Sequence, residues 1–242
     1  QFLTIGINGM VEAAESQDIK VGNNQTYKNF VNKYLKLIYD ENRAGKQEYG
    51  YMFNTEFVPA ENLGVKNAKW DIEDGLLVNR DCYNSYFYAV EDETINSLDK
   101  IILHGNETIK YLDGGSALHL NLEETPNKEG FIKLIYATAK AGCNYFCFNI
   151  RITICNDCNH IDKSTVFKCN QCESSDVDHA TRVIGYLKRV SNFSSGRQKE
   201  HRLRHYHRDN KKNNLAQKRV DAMSKQSNEI NHQNFIYKID MY

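Results

Sequence analysis

Four cysteines in the C-terminal half constrain this chain more than any other feature. They form two Cys-x-x-Cys pairs separated by ten residues: Cys155, Cys158, Cys169 and Cys172. Each pair can present two thiolates from one tight turn, and two such turns supply the four ligands of a tetrahedral zinc site. A segment this short cannot bury a hydrophobic core, so the metal would supply its folding free energy. The spacing predicts a structural zinc ribbon.

Two other uses of these cysteines stay open on the sequence alone. An iron–sulfur cluster also takes four thiolates, and two separate Cys-x-x-Cys pairs are typical of redox proteins. The complete set of four favours zinc in a closed structural site rather than a catalytic one. His160 lies near the motif but is not needed as a ligand.

The 242 residues, 40% of them hydrophobic, suffice for one large domain, or for one domain and a small module. No apolar run approaches the roughly 20 residues of a membrane-spanning helix, and the first residues do not resemble a signal peptide. We therefore expect no membrane association, a cytoplasmic location and reduced thiols. The chain lacks an initial Met and begins within a predicted strand, so we expect a piece of a longer protein.

The net charge of zero conceals an uneven distribution. Residues 197–242 contain 11 Lys/Arg and 5 Asp/Glu, a net charge of +6, which leaves −6 for the rest. Residues 206–242 are basic and rich in Asn and Lys, which predicts a poorly ordered, solvated tail. The alternative is a contact with nucleic acid or another acidic partner.

Residues 1–150 alternate between strand and helix patterns, which predicts an α/β fold. Extended segments are predicted at 2–9, 49–53, 84–90, 100–104, 116–122 and 145–150. Helices are predicted at 10–15, 25–42 and 125–142. For the last helix, Thr125 is the expected N-cap, Pro126 the first helical residue and Gly142 the C-terminal signal.

A glycine follows the cysteine pairs in the segment Arg182-Val183-Ile184-Gly185-Tyr186-Leu187. Taken alone, this segment is typical of a strand over 181–184 with a glycine at its turn. Together with a four-cysteine ribbon, it resembles the end of the anaerobic (class III) ribonucleotide reductases, which are glycyl radical enzymes.

Further motifs of that family occur upstream in the same order, so the resemblance covers roughly residues 1–205. They are Thr4-Ile5-Gly6-Ile7-Asn8-Gly9, Glu12-Ala13-Ala14-Glu15, Val58-Pro59-Ala60-Glu61-Asn62, Tyr83-Asn84-Ser85 and Gly114-Gly115-Ser116.

The resemblance implies a fold and a division of the chain. Residues 1–150 would be the C-terminal part of a ten-stranded α/β barrel. A zinc ribbon over 151–176 and the glycyl radical loop with its following segment over 177–205 would come next, and then the tail, 206–242.

The resemblance also implies a reaction. Gly185 would store a radical on its Cα, where no side chain prevents a planar centre. A separate activase installs that radical with S-adenosylmethionine and a [4Fe-4S] cluster. The radical then oxidises a cysteine to a thiyl, which abstracts hydrogen from the ribose of a ribonucleoside triphosphate. The 2′-hydroxyl leaves as water, and formate is the expected reductant.

The phosphates of that substrate are assigned by the resemblance to one loop. Its nearest residues are Thr55, Ala60, Glu61 and Asn62. Free backbone N–H groups at a helix start suit a phosphate. From the residues alone, an ordinary helix N-cap is the favoured interpretation of this segment.

The chain also departs from the family. The cysteine that becomes the thiyl lies upstream in the family, so we expect the N-terminal half of the enzyme as a partner and a homodimer when it is complete. Cys82, Cys143 and Cys147 match no family motif and are expected to be buried, inert thiols. Arg151 stands where proline is more common.

Two other functions remain open on the sequence alone: another kind of glycyl radical protein, and a non-enzymatic zinc-ribbon module that binds nucleic acid. The acidic, motif-rich first 196 residues disfavour the second.

Overall fold

A parallel four-stranded sheet organises the N-terminal part of the molecule. The structure is a computed structural model that describes residues 2–57, 62–123, 125–182 and 187–207. All neighbouring strands of the sheet run parallel. In sheet order they are β1 (Phe2–Gly6), β2 (Met52–Phe57), β3 (Gly115–Leu122) and β4 (Tyr145–Ile150).

Helices connect these strands, because a parallel pair requires a crossover rather than a tight turn. In chain order they are α1 (Met10–Glu15), α2 (Gln25–Tyr49), α3 (Leu63–Glu73), α4 (Ser97–Leu103), α5 (Asn106–Ile109) and α6 (Lys128–Ala141). The predicted α/β fold is therefore confirmed. Within the described residues, no helix is both long enough and apolar enough to cross a membrane.

The hydrophobic core lies between the sheet and the helices. β3 is buried along nearly its whole length, as expected for a central strand of a parallel sheet that is covered on both faces. From α2, the side chains of Tyr27 and Leu35 are fully buried. The rings of Phe57 and Phe87 stack with their centroids 3.9 Å apart.

The strand predicted at 84–90 is wrong. This segment is buried but irregular, and it has no strand partner among the described residues, so that side chains satisfy several of its backbone N–H groups. The N–H of Asn84 donates to Glu12 Oε1 at 3.0 Å, and the N–H of Val90 donates to Asn84 Oδ1 at 3.2 Å. The apolar side chains of residues 84–90 therefore indicate burial in the core and not a β-strand.

Several predicted helix boundaries are also wrong. Residues 100–104, predicted as extended, belong largely to α4, because Asn96 Oδ1 accepts from the N–H groups of two residues in its first turn. α6 begins at Lys128 with Asn127 as its N-cap, not at Thr125 and Pro126, because the Asn127 side chain accepts from the N–H of Gly130.

The predicted helix 25–42 continues to Tyr49, where Gly50 ends it in the left-handed conformation (φ 72°). That extension displaces the strand predicted at 49–53 to Met52–Phe57.

A second, antiparallel sheet follows, with strand order β6-β5-β7-β8. Its strands are β5 (Ile152–Cys155), β6 (Ile161–Asp162), β7 (Val177–Arg182) and β8 (Leu187–Arg189). The strand predicted at 181–184 is present up to Arg182, and its last two residues lie outside the described part of the chain.

The chain then returns to the first sheet. A short 3-10 helix (Val190–Asn192) leads to α7 (Ser195–Leu203), and His207 forms an isolated parallel bridge with Leu122 at the end of β3. Most of the predicted tail, from residue 208 onwards, lies outside the described residues.

Candidate functional site

The four cysteines predicted as metal ligands come together beside the second sheet. The Sγ atoms of Cys155 and Cys172 are 3.5 Å apart, and those of Cys158 and Cys169 are 3.6 Å apart. All four sulfur atoms lie within 4.8 Å of one another. Within the described residues, no other group of three or more His, Cys, Asp and Glu side chains is close enough to hold one ion.

The two Cys-x-x-Cys turns have the same backbone construction. In the first, the N–H of Asn159 donates to the carbonyl of Cys155 at 3.1 Å, and in the second, the N–H of Glu173 donates to the carbonyl of Cys169 at 3.0 Å. Asn159 and Glu173 both have a positive φ, 58° and 60°. The second cysteine of each pair is thus followed by a residue in the left-handed conformation, which turns the chain back under the sulfur atoms.

The sulfur geometry fits a tetrahedral metal ion. Four thiolates bonded to zinc at about 2.3 Å lie about 3.8 Å from one another, close to the two distances given above, and a disulfide would bring two sulfur atoms to about 2.0 Å. All seven cysteines are free. His160 is not part of the cluster.

The backbone also prepares Cys169 to act as a ligand. The N–H of Cys172, and then that of Gln171, lower the pKa of the Cys169 thiol to about 6. The Gln171 nitrogen is 3.4 Å from the sulfur. These N–H groups therefore favour the thiolate of Cys169, the form that binds metal.

Gly185, the predicted radical residue, lies outside the described residues, but both flanks of its segment are described. β7 ends at Arg182, and Arg182 pairs with Leu187, the first residue of β8. The N–H of Arg182 donates to Oδ1 of Asn149 at 2.9 Å. The segment therefore leaves and rejoins the second sheet beside the carboxyl end of β4.

Two of the four predicted phosphate-loop residues can be described, while Ala60 and Glu61 lie outside the described residues. Thr55 is fully buried in β2. Its hydroxyl accepts from Asn42 Nδ2 at 2.7 Å, and its N–H donates to Asp113 Oδ1 at 2.8 Å. Asn62 is the N-cap residue of α3, but its side chain makes no capping hydrogen bond.

A polar cluster lies at the carboxyl end of β1, and no contact among its residues was predicted from the sequence. Asn8 Nδ2 donates to Ser85 Oγ at 2.8 Å, and Asn84 Nδ2 donates to Glu12 Oε1 at 2.7 Å. Burial raises the pKa of the Glu12 carboxyl. Asn8, Glu12, Asn84 and Ser85 all lie in the family motifs given above. The order of those motifs along the chain was the only sequence signal for these contacts.

The three cysteines predicted as inert thiols lie apart from the cluster. Cys82 and Cys143 are buried and Cys147 is half-buried. Burial raises the pKa of Cys82 and Cys147 to about 11 and that of Cys143 to about 12, so all three are protonated at neutral pH.

Comparison with known proteins places this α/β fold and its thiolate cluster in a family. A family model described as anaerobic ribonucleoside-triphosphate reductase matches residues 1–207. The chain belongs to this family, and the resemblance stated from the sequence motifs is confirmed. No curated protein matches the chain significantly.

Solved structures agree with this assignment. The chain is similar to a structure titled anaerobic ribonucleotide reductase, with 29% identity, a TM-score of 0.76 and coverage of 86% of this chain and 34% of that one.

It is also similar to the Thermotoga maritima anaerobic ribonucleotide reductase in complex with dATP and CTP, with 28% identity and a TM-score of 0.68 over 84% and 33% of the two chains. The structure of that reductase with MES in the active site gives 29% identity and a TM-score of 0.69 over 80% and 33%. The chain therefore spans about a third of the length of the reductases it matches.

Proposed function

We propose that this chain is the radical-bearing C-terminal part of an enzyme that reduces ribonucleoside triphosphates to 2′-deoxyribonucleoside triphosphates under anaerobic conditions. The observation that carries the proposal is the family match over residues 1–207, which includes both the thiolate cluster and the segment with Gly185. The product class makes the enzyme a source of DNA precursors.

The proposed architecture is based on the two edge strands of the parallel sheet, β1 and β4. Residues 1–150 would form the C-terminal part of a ten-stranded barrel, and the N-terminal half of the enzyme, on the same or a separate chain, would supply the other strands. The edges support this proposal, because β1 pairs only with β2 and β4 only with β3 among the described strands. Leu3 and Ile5, which share one face of β1, are 42% and 39% exposed, and the unpaired backbone of an edge strand is a template for pairing with a further strand.

The thiolate cluster would hold zinc in a ribbon over 151–176. A bound zinc ion supplies no redox chemistry and closes the two cysteine turns into one rigid unit. The strand pairing supports a positioning role for that unit, because β5, which ends at Cys155, pairs with β7, which ends next to the segment with Gly185. Residues 177–205 would then be the radical loop and the segment after it.

In the proposed reaction, a separate activase that uses S-adenosylmethionine and a [4Fe-4S] cluster removes one hydrogen atom from the Cα of Gly185. The glycyl radical takes a hydrogen atom back from a cysteine of the N-terminal half, which leaves a thiyl radical there. The thiyl begins reduction at the substrate ribose, whose 2′-hydroxyl leaves as water. Formate would supply the two reducing electrons and leave as carbon dioxide.

Substrate phosphates would bind near Thr55, close to the end of β2, at the following loop with Ala60, Glu61 and Asn62. This loop follows the carboxyl end of β2, the edge of an open parallel sheet where ligands bind. The N-terminus of α3 comes directly after it, and its free N–H groups favour an anion. The complete enzyme is proposed to be a cytoplasmic homodimer.

The test is reconstitution of the complete enzyme without oxygen. The chain is combined with the N-terminal half, the activase, S-adenosylmethionine, a reductant, formate and a ribonucleoside triphosphate. We expect a glycyl radical signal in electron paramagnetic resonance and formation of the deoxyribonucleotide, and we expect Gly185→Ala to abolish both. Deoxyribonucleotide formation by the Gly185→Ala enzyme would contradict the proposal.

A further inference from the structure

We infer that Asn149 is a positioning residue that ties the segment carrying Gly185 to the parallel sheet, and that Asn121 orients it. The inference rests on the proposed function and adds to it the side chains that set where the radical residue is held.

The side-chain amide of Asn149 joins the two sheets, and both its oxygen and its nitrogen are hydrogen-bonded. Its Oδ1 accepts from Thr181 Oγ1 and from the backbone N–H of Arg182, both at 2.9 Å. Its Nδ2 donates to Asn121 Oδ1 at 2.8 Å. A backbone N–H can only donate, so Oδ1 must face Arg182, and the orientation of the Asn149 amide is unambiguous.

The bond from Arg182 to Asn149 lies close to Gly185 along the chain. Arg182 is the last residue of β7, and Gly185 comes three residues later. Asn149 therefore fixes the backbone at the point where the chain leaves the second sheet towards Gly185. Asn149 belongs to β4 and lies opposite Asn121 of β3, so the anchor is the first sheet itself.

These side chains are buried, so their polar atoms must stay hydrogen-bonded. Asn149 and Thr181 have no exposed surface, and Asn121 is 2% exposed. A buried amide is tolerated only when its polar atoms are bonded. The free energy of the link is therefore lost if the segment shifts and Arg182 no longer donates to Asn149.

Asn121, together with Thr181, also contacts the chain downstream of Gly185. The carbonyl of Asn121 accepts from the N–H of His207 at 3.0 Å. The hydroxyl of Thr181 lies 3.3 Å from that of Tyr206. The chain before and the chain after the radical segment are thus bound to adjacent strands of one sheet, β3 and β4.

A positioning role predicts a split between two steps. Installing the radical requires Gly185 to be accessible to the activase, whereas transfer to the cysteine requires Gly185 to be held inside the active site. Small displacements of reacting groups are costly to rate, since about 1 Å can reduce it on the order of 100-fold. Loosening the link should therefore preserve radical formation and reduce turnover.

The test uses Asn149→Leu in the reconstituted complete enzyme, because leucine keeps the branching and the number of side-chain heavy atoms and removes every side-chain hydrogen bond. We expect glycyl radical and bound zinc equal to those of the wild type, with turnover per radical lower by about tenfold to 100-fold. Asn121→Ala should give a smaller loss, because Oδ1 of Asn149 can still accept from Arg182. This second variant keeps the test decisive if Asn149→Leu does not fold.

The matched control is Asn96→Ala. Asn96 Oδ1 also accepts from two backbone N–H groups, at the start of α4, so its removal should lower thermal stability with turnover per radical unchanged. Wild-type turnover per radical in both Asn149→Leu and Asn121→Ala would overturn the inference and leave the proposed function intact. A wild-type enzyme that forms no radical would overturn the proposed function and the inference with it.

Discussion

The N–H of Gly114 donates to the carbonyl oxygen of Thr55 at 2.8 Å, and a Cβ on Gly114 would lie 2.8 Å from that same oxygen. The preceding residue, Asp113, accepts from the N–H of Thr55. Two consecutive residues thus bind both backbone polar groups of Thr55, and the close approach leaves room only for glycine. This contact connects the turn before β3 to the strand that leads into the proposed phosphate loop.

Gly114→Ala is expected to destabilise the protein by about 1–3 kcal/mol, because the added methyl group forces the turn away from backbone atoms that cannot move freely. Denaturant unfolding measures this change. Gly6→Ala is the matched control, since a Cβ at Gly6 would meet no atom within 4 Å, and its effect should stay within about 0.5 kcal/mol. Equal effects of the two variants would contradict the close contact.

Cys169→Ser is expected to release the metal. Serine removes the thiolate that the backbone N–H groups stabilise, and three remaining sulfur ligands bind zinc less tightly. Elemental analysis after dialysis should give about one zinc per wild-type chain and much less in the variant. Cys147→Ala, a half-buried thiol outside the cluster, should keep its zinc. Full zinc in Cys169→Ser would exclude this cysteine as a ligand.

Lys100 is expected to make stability rise with pH above 8. Its side chain is fully buried, with Nζ 2.9 Å from His207 Nε2 and 4.5 Å from the centre of the Tyr88 ring. Burial lowers the pKa of Lys100 to about 8, so above pH 8 the unfolded chain holds a proton that the folded protein has lost.

The free energy of unfolding should therefore increase by up to about 1.4 kcal/mol per pH unit between pH 8 and 9.5 through this group. Urea unfolding of wild type and Lys100→Met across that interval isolates the contribution. The increase should be absent from the variant, and identical pH profiles would show that Lys100 stays charged in the fold.

His104 is expected to contribute to acid lability. It is fully buried, and Nδ1 lies 2.9 Å from Ser116 Oγ. Burial, and then the neighbouring His119, lower the pKa of His104 to about 3. Below pH 6.5 the unfolded chain therefore binds a proton that the folded protein does not.

Each pH unit below 6.5 should lower the free energy of unfolding by about 1.4 kcal/mol through this residue. His104→Gln should show a shallower decline than wild type between pH 6.5 and 5 in urea titrations. The wild-type slope retained in His104→Gln would assign the acid lability to other groups, such as His201, whose pKa is lowered to about 4 chiefly by burial.

Local patterns in the sequence predicted what local physics determines. The extended segments predicted at 116–122 and 145–150 correspond to β3 and β4. The glycine that ends α6 was also correct, since Gly142 is its left-handed C-cap. Residues 84–90 failed because their burial comes from packing under the sheet, with hydrogen bonds to distant side chains such as Glu12, which no local pattern contains.

In the candidate site too, local features could be predicted from the sequence and contacts between distant residues could not. The clustering of the four cysteines was predicted because their two turns are local and their spacing is typical of the ligands of one ion. The link from Asn149 to Arg182 spans 33 residues, and the contact from Thr55 to Asp113 spans 58. Such pairs are brought together only by strand order and register, so an isolated Asn or Thr in the sequence carried no sign of its partner.

Radical storage on Gly185 is tested most directly by exposing the activated protein to oxygen. A glycyl radical reacts with oxygen and the chain is cleaved at that residue. The protein, complete with its N-terminal half, is activated without oxygen, exposed briefly to air and weighed by intact-mass spectrometry. We predict a new fragment that ends at Gly185, absent without activation and absent in Gly185→Ala. An intact chain, with an activase proven on another reductase, would contradict the claim.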